Sequence, residues 1–385
     1  MSEELHTSPI DQTSATEVSG AESIPVPLGN VEKELNRRIQ KMQEATSDSV
    51  LRSRMSNLVV YCDNLDLAGQ VDQMVTDIVS LHPARVLLLL GLTNAAGGAL
   101  TTTVTTRCHP VSNGRALCSE QVTVRAVGTS VKKLPFVVRG LLVGDLPTNL
   151  WWAASQAPPL DGVLFHDLAE SAEQVVYDSM GWPDPARGML SVINWMTQLE
   201  AARSGARWRL AADLNWRRLK YWRRILTQAL DPQVAQGFLN TIREVQIDHG
   251  PHAVIQAWLV VSWLAARLGW EVQGGKVQPN VEMSWQCRTS EGLVRIVIRR
   301  VESEEHAIHK IHIASEAYSY DFAVDGSRRL SVVPTGGGAA PRTVTVPPQP
   351  LPQLVGRELS DRDRDPGFRE SLEVAKKLAQ SVVGL

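Results

Sequence analysis

Three groups of side chains in this 385-residue chain stand at spacings that could do chemistry. The first is Gly91-Leu92-Thr93-Asn94-Ala95-Ala96-Gly97-Gly98, placed after the apolar run 85–91 where a phosphate loop could sit. It matches neither the dinucleotide fingerprint nor the Walker pattern, whose glycines let backbone amides approach a phosphate. The threonine-rich stretch 100–107 that follows reads as a strand, so no helix N-terminus is available to hold an anion. A plain loop is expected. The second group is His306, His309 and His312, with His249 and His252 upstream. In a strand, His306 and His312 share a face but stand roughly 20 Å apart, and His309 points the other way. His249 and His252 bracket Gly250-Pro251, where capping a helix is the simpler role, and no Cys or carboxylate stands at ligand spacing. The third group is Cys108 and Cys118, either side of the turn-forming Asn113-Gly114. A two-residue turn sets Cys108 opposite Ser119 and Cys118 opposite His109, with the thiols on opposite faces, which favours buried free thiols. A one-residue bulge would reverse that. G-x-S-x-G and H-E-x-x-H are absent, and no nucleophile has an evident base. The expectation is a chain with no catalytic residue, no cofactor and no metal.

The basic stretch Asp213-Leu214-Asn215-Trp216-Arg217-Arg218-Leu219-Lys220-Tyr221-Trp222-Arg223-Arg224 offers recognition instead of catalysis. Read as one helix at about 100° per residue, Leu214, Leu219, Trp222, Ile225, Leu226 and Ala229 form an apolar arc. Arg217, Lys220, Arg223 and Arg224 lie opposite. Arg218 falls inside the apolar arc, where its alkyl stem can pack while its head reaches water. Trp216 falls on the basic face. Trp216, Arg217, Lys220, Arg223 and Arg224 are therefore candidate residues for binding an acidic or phosphate-bearing partner. Trp216→Ala should then weaken that binding at unchanged stability, whereas Arg218→Ala should lower stability. Nucleic acid needs a wider basic footprint than one helix in a chain of net charge −2, so none is expected as a partner.

Trp151 and Trp152 are the other candidate contacts. They follow Pro147-Thr148-Asn149 and precede Pro158-Pro159 in a strand-like segment. Adjacent strand residues point to opposite faces, so one ring needs a second cover, either a layer of helices or another protein. Tryptophan is common at energetically dominant interface positions. A sheet clad on both sides would bury both rings without a partner.

The elements that position these residues follow from periodicity. Residues 57–62 read as a strand, 67–79 as an amphipathic helix with Asp66 as its cap, and 85–91 as a buried strand, which makes a right-handed βαβ unit. A hairpin over 101–127, a helix carrying Leu134, Val137, Val138, Leu141 and Leu142, the Trp-Trp strand, a helix over 161–171 and a strand over 174–178 complete an α/β domain with a mixed sheet. The second half reads as α+β: helices over 188–203 and 213–230, a strand over 242–247 and a helix over 252–268 that is apolar almost all round. Short alternating runs between 282 and 324 then predict an antiparallel meander. The expected division is 1–50 as a disordered N-terminus and leading helix, 51–205 as the α/β domain, 206–333 as the α+β domain, and 334–385 as a Pro/Gly linker with a docking helix over 368–383. The disordered part is expected to run through residue 29.

Composition bounds the rest. Hydrophobic residues make up 43% of the chain, enough for a sizeable core, and a net charge of −2 gives no general pull toward nucleic acid or anionic membranes. Eleven tryptophans against 5 Phe and 5 Tyr suit large contact areas, within the fold or outside it. The apolar run 254–269 is interrupted by Gln256 and Arg267 and is too short to span a bilayer, so no membrane association is expected. The polar first 20 residues lack a signal peptide's apolar region. Four scattered cysteines do not make a disulfide scaffold, and the reducing cytoplasm is the expected location.

Several of these segments, in order, resemble the glucose-6-phosphate dehydrogenase assembly protein family, OpcA. They are Val31-Glu32-Lys33-Glu34-Leu35, Asn57-Leu58-Val59-Val60, Asp145-Leu146-Pro147-Thr148-Asn149-Leu150-Trp151-Trp152 and Val175-Val176-Tyr177-Asp178-Ser179. The helix Asp213-Leu214-Asn215-Trp216-Arg217-Arg218-Leu219 and the segment Trp263-Leu264-Ala265-Ala266-Arg267-Leu268-Gly269-Trp270 complete the set. The resemblance implies a non-catalytic partner that binds glucose-6-phosphate dehydrogenase, promotes its active oligomer and raises its activity, in support of the oxidative pentose phosphate pathway and NADPH supply. Cyanobacterial relatives are controlled through thioredoxin. This sequence departs there, since Cys287 is the one cysteine of its second half. The residues themselves leave a different reading open: an α/β enzyme or sugar-phosphate binder using the 91–98 loop with Arg107 or Arg125.

Overall fold

The computed structural model describes residues 23–45, 49–111, 115–158, 162–201, 210–278, 281–326, 328–336, 340–361 and 365–383. The Asn113-Gly114 turn and the expected disorder of residues 1–22 lie outside the described residues. Strand β1 (Ile24–Pro25) and a 3-10 turn (Leu28–Asn30) lead into helix α1 (Val31–Ala45). Residues 24–29 are thus structured, against expectation: β1 pairs antiparallel with the hairpin strand at Thr103 and Val104, and Val26 is buried.

The first sheet is built by β2 (Ser49–Arg52), β3 (Ser56–Cys62), α2 (Leu65–Leu81), β4 (Ala84–Leu92), β5 (Leu100–Val111) and β6 (Arg115–Val127). After α3 (Leu134–Leu141) come β7 (Thr148–Trp152), α4 (Val163–Ala169), β8 (Gln174–Tyr177), α5 (Pro185–Ala201) and β9 (Leu210–Asp213). Strands β6, β4, β3, β7, β8 and β9 are parallel neighbours in that order. Counted along the chain this is the order 3-2-1-4-5-6 of the doubly wound nucleotide-binding fold, with its switch point between β3 and β7. Hairpin strand β5 adds antiparallel beside β6. The expected βαβ unit is present, although the side chain of Asn64, not Asp66, caps α2 by accepting from the Leu67 amide at 2.8 Å.

Parallel strands clad on both faces are apolar throughout, and both layers are present. One face packs Leu58, Val60, Leu88, Trp151 and Val176 beneath α2. The other packs Val59, Tyr61, Leu87, Leu150 and Trp152 against α3, α4 and α5. Trp151 and Trp152 are 2% and 1% exposed, one in each layer. Trp152 stacks on Tyr61 at 4.5 Å between ring centroids and meets Phe165 edge-on at 5.1 Å. Both rings are buried without a partner, because the sheet has its own cover on both sides.

The second half continues with α6 (Leu214–Arg218), α7 (Lys220–Ala229), α8 (Phe238–Thr241), β10 (Glu244–His249) and α9 (Val254–Leu268). Then come β11 (Glu271–Gln278), β12 (Glu282–Thr289), β13 (Gly292–Arg300), β14 (Ile308–Ala314), β15 (Ser319–Val324), β16 (Arg329–Thr335) and β17 (Arg342–Thr345). The expected antiparallel sheet forms, with β10 inserted between β13 and β14 and parallel to β13. Its inner residues Val245, Ile247, Ile296 and Ile311 share one core with α9 and with the first half. Helix α9 stops at Gly269, whose φ of 65° is the left-handed conformation that glycine adopts without strain.

The stretch expected to be linker holds a helix, α10 (Leu351–Ser360), followed by the expected docking helix α11 (Pro366–Val383). Helix α10 returns to the first sheet and packs Leu354, Val355 and Leu359 against the α2 layer. Gly356 is needed there, since a Cβ would stand 2.9 Å from that of Leu81. Helix α11 packs on α5, α9 and β11, and its Leu378 carbonyl accepts the Trp285 indole N–H at 3.2 Å. Cys108 and Cys118 also differ from expectation. Three residues separate Val111 from its partner Arg115, so the two cysteines stand directly opposite and form a disulfide.

Candidate functional site

Two concavities gather polar side chains at the ends of the parallel strands. The first lies along β9, α6, α10 and α11. Strand β8 runs into Asp178-Ser179, and β9 ends in Asp213, which caps α6. Asp213 Oδ1 accepts from the Asn215 amide at 2.9 Å, and Oδ2 accepts from Ser179 Oγ at 2.6 Å. Arg218 grips Asp178 with two 2.7 Å bonds and donates to Asn215 Oδ1 at 3.0 Å. The Asp-Ser strand end and the Asp-Leu-Asn-Trp helix, 34 residues apart at Ser179 and Asp213, are therefore one buried lock. Burial pushes the Asp213 carboxyl up to about 7; nearby Asp178 adds to this, and the bonds from Ser179 and Asn215 oppose it.

The basic helix is divided at Leu219, which closes α6 and opens α7. The hydrogen-bond ladder continues through Leu219, whose amide donates to the Asn215 carbonyl at 3.1 Å, so Trp216 keeps the basic face, and that face is itself covered: Trp216 is 7% exposed. Its ring lies 5.2 Å from Phe368 of α11, and its indole N–H donates to Asp365 at 2.6 Å. The Arg223 guanidinium sits 3.6 Å from the Trp216 ring centroid and donates to its carbonyl at 2.6 Å. Burial lowers the Arg223 pKa to about 10. Arg217 donates to Glu358 and, at 2.9 Å, to Asp361. Burial disfavours the charged form of Arg217, but these carboxylates outweigh it and raise its pKa.

Of the candidate contacts, Trp216, Arg217 and Arg223 are thus engaged within the fold, while Lys220 and Arg224 stay exposed. The expectation that Trp216 is an outward anchor is corrected by Phe368 of α11 and Asp365 just before it, which cover its ring. A cavity of about 430 Å³ remains beside this seam, bordered by Gln174, Trp216, Lys220, Asp365 and Phe368. The partner carboxylates Glu358, Asp361 and Asp365 were not foreseen. The apolar spacing Leu351, Leu354, Val355, Leu359 was the available signal for the helix that carries Glu358.

The second concavity opens at the switch point, where a doubly wound fold receives a dinucleotide. The turn that would hold the pyrophosphate follows β3, the first strand of the parallel series. It reads Cys62-Asp63-Asn64-Leu65-Asp66 and contains no glycine. The Asp63 carboxylate accepts from Ser155 Oγ at 2.7 Å, and Asn64 already caps the helix. Two carboxylates stand where backbone amides would need to meet two phosphates, so these residues do not fit a dinucleotide. The crevice, about 330 Å³, is bordered by Asp66, Gln70, Met74, Trp151, Asp178 and Trp182 among others, none of them Lys, Arg or His.

The other chemical candidates are occupied elsewhere. The 91–98 loop is a packed turn, with the Gly97 carbonyl accepting from the Thr129 amide at 3.2 Å and the Gly98 carbonyl accepting from Ser130 Oγ. Arg107 is bound to Asp72 at 2.8 Å, and Arg125 is exposed. His312 pairs with Asp321 at 3.0 Å, far along β14 from His306. The structure brings His252 and His306 to 5.0 Å between rings, which spacing alone had not joined. Among the described residues no group of His, Cys, Asp or Glu could hold a metal ion, and no helix is long and apolar enough to cross a membrane.

Comparison with known proteins places these segments. Two domain families described as parts of a glucose-6-phosphate dehydrogenase subunit match the chain, the N-terminal domain at residues 75–194 and the C-terminal domain at residues 209–372. An OxPP cycle protein named OpcA from Synechocystis sp. is 25% identical over 281 residues, covering 69% of this chain and 56% of that protein. Its namesake from Synechococcus elongatus is 29% identical over 243 residues, covering 63% and 49%. The chain spans about half the length of the curated relatives it matches. Among solved structures, an oxidoreductase from Sinorhizobium meliloti is 10% identical with a TM-score of 0.49, over 86% of this chain and 97% of that one. At that score the likeness does not bear on function.

Proposed function

From the premise that the chain belongs to the OpcA family of glucose-6-phosphate dehydrogenase assembly proteins, we propose that it is a non-catalytic partner of that dehydrogenase. It binds the enzyme, favours its active oligomer and raises its activity, and so supports the oxidative pentose phosphate pathway and NADPH supply. The observation that carries this reading is the pair of family matches, which together take in the first sheet from β4 onward, the second sheet, and the lock between Asp178 and Arg218. The switch-point crevice is consistent with it, because Asp63 and Asp66 oppose a pyrophosphate there. Exposed Lys220 and Arg224 are the residues of the basic helix left to meet an outside partner.

An activator shifts its target only by binding the active state more tightly than the inactive one. A tenfold shift needs about 1.4 kcal/mol of difference, within reach of one or two well-placed contacts. The test adds purified chain to the dehydrogenase of the same organism, following rate against glucose 6-phosphate and particle size together. A lower apparent KM or a higher kcat, with a larger complex, is expected. Unchanged rate and unchanged size would remove the proposal.

A further inference from the structure

The crevice at the heads of β3 and β7 has a chemistry opposite to that of the nucleotide site whose place it takes. Asp66 is exposed at the first turn of α2, and Asp178 borders the same space with its charge shared by Arg218. Among the described residues no basic side chain borders the crevice to answer Asp66. The walls are apolar and long: Leu67, Met74, Trp151, Met180, Trp182 and Leu351. Trp151 is 2% exposed, and its buried indole N–H has no hydrogen-bond partner in the structure. The crevice therefore offers an exposed carboxylate with no basic side chain beside it, and an apolar-aromatic trough.

A free nucleotide or sugar phosphate meets the wrong sign here. An arginine or lysine side chain on a peptide suits both features. Its alkyl stem lies along the apolar walls while its head reaches a carboxylate. We propose that this crevice receives a basic side chain, with flanking apolar peptide, presented by the protein this chain assembles with. The identity of that protein rests on the reading above; the chemistry of the crevice does not.

The test has two arms. In the first, tryptophan fluorescence is followed while the full chain is titrated with the tripeptide amide acetyl-leucyl-arginyl-leucine. The glutamyl counterpart and NADP+ serve as controls. A saturable change with the arginyl peptide alone, lost in Asp66→Lys, is expected. No saturable change with the arginyl peptide, or an equal response to the glutamyl peptide or NADP+, overturns the proposal. In the second arm, the affinity of the chain for glucose-6-phosphate dehydrogenase is measured with and without Asp66→Lys, whose melting temperature is checked to be unchanged. A loss of about tenfold or more is expected for a charge reversed at an anchoring contact; unchanged affinity overturns the docking role. If the unsubstituted chain does not bind the dehydrogenase, the assembly reading fails, while the peptide arm still decides what the crevice accepts.

Discussion

The seam beside α6 and the crevice beside α2 both lie at the margins of one parallel sheet, yet they handle charge in opposite ways. At the seam, Arg217, Arg218 and Arg223 are bound to Glu358, Asp361, Asp178 and Trp216. The sequence advertises a basic face, and the fold consumes it. At the crevice, Asp66 has no basic neighbour along the described walls, although its sequence context reads only as a helix cap. A run of like charges signals recognition only after the intramolecular partners have been counted. Paired charges hold a fold together, and an unanswered one is available to something else.

Four kinds of substitution would break or sharpen that contrast. The largest effect belongs to Trp216→Ala, which empties the space under α11 and leaves Asp365 without its donor; a loss of about 3–5 kcal/mol is expected in denaturant unfolding. A loss below about 1 kcal/mol, the range of surface changes, would return Trp216 to the surface, where helical periodicity had put it.

Next is Asp213→Asn. The folded pKa of about 7 exceeds the ordinary 3.8, so the folded state holds this proton more tightly than the unfolded chain. The stabilisation is fully present below the ordinary value, declines as pH rises toward 7, and is flat above. Between pH 5 and pH 8 the parent should lose about 2 kcal/mol more than the Asn variant. Parallel pH profiles for the two would contradict the raised pKa of the buried carboxyl.

Arg218→Ala comes third. It leaves a half-buried Asp178 unpaired, and about 1–2 kcal/mol is expected in thermal melts. The smallest effects fall on charges the fold does not use: Lys220→Ala, Arg224→Ala and Asp66→Asn should each stay within roughly 0.5 kcal/mol of the parent. A large melting loss for any of them would erase the distinction between consumed and available charge.

Much of the fold was legible where the signal is local. The βαβ unit could be read because residues 85–91 are continuously apolar and Val71, Val75, Ile78 and Val79 repeat at helical spacing. The docking helix was legible for the same reason. Strand order was not, since β10 between β13 and β14 depends on long-range pairing that no short window contains. That gap hid the crevice as well. Residues 91–98 invite a phosphate-loop reading because they follow a buried strand, but that strand is the second of the series. Only the assembled sheet shows that the turn after β3 faces the switch point. Trp216 shares the basic face with Arg223, as helical periodicity has it, but the cover that Phe368 and Asp365 bring to that face comes from about 150 residues away and shows in no local window. The cysteine pair turned on a single residue of register.

The return of α10 to the first sheet has a consequence for how the chain is made. The layer over Leu58, Val60 and Trp151 includes Leu354, Val355 and Leu359, so it is completed by residues that leave the ribosome about 300 positions later than β3. At ordinary synthesis rates of about 5–20 residues per second, that interval is some tens of seconds. During it the nascent sheet carries an open apolar flank with a tryptophan in it. Such a chain should lean on holding chaperones during its own translation, and a truncation before residue 351 should stay in their custody.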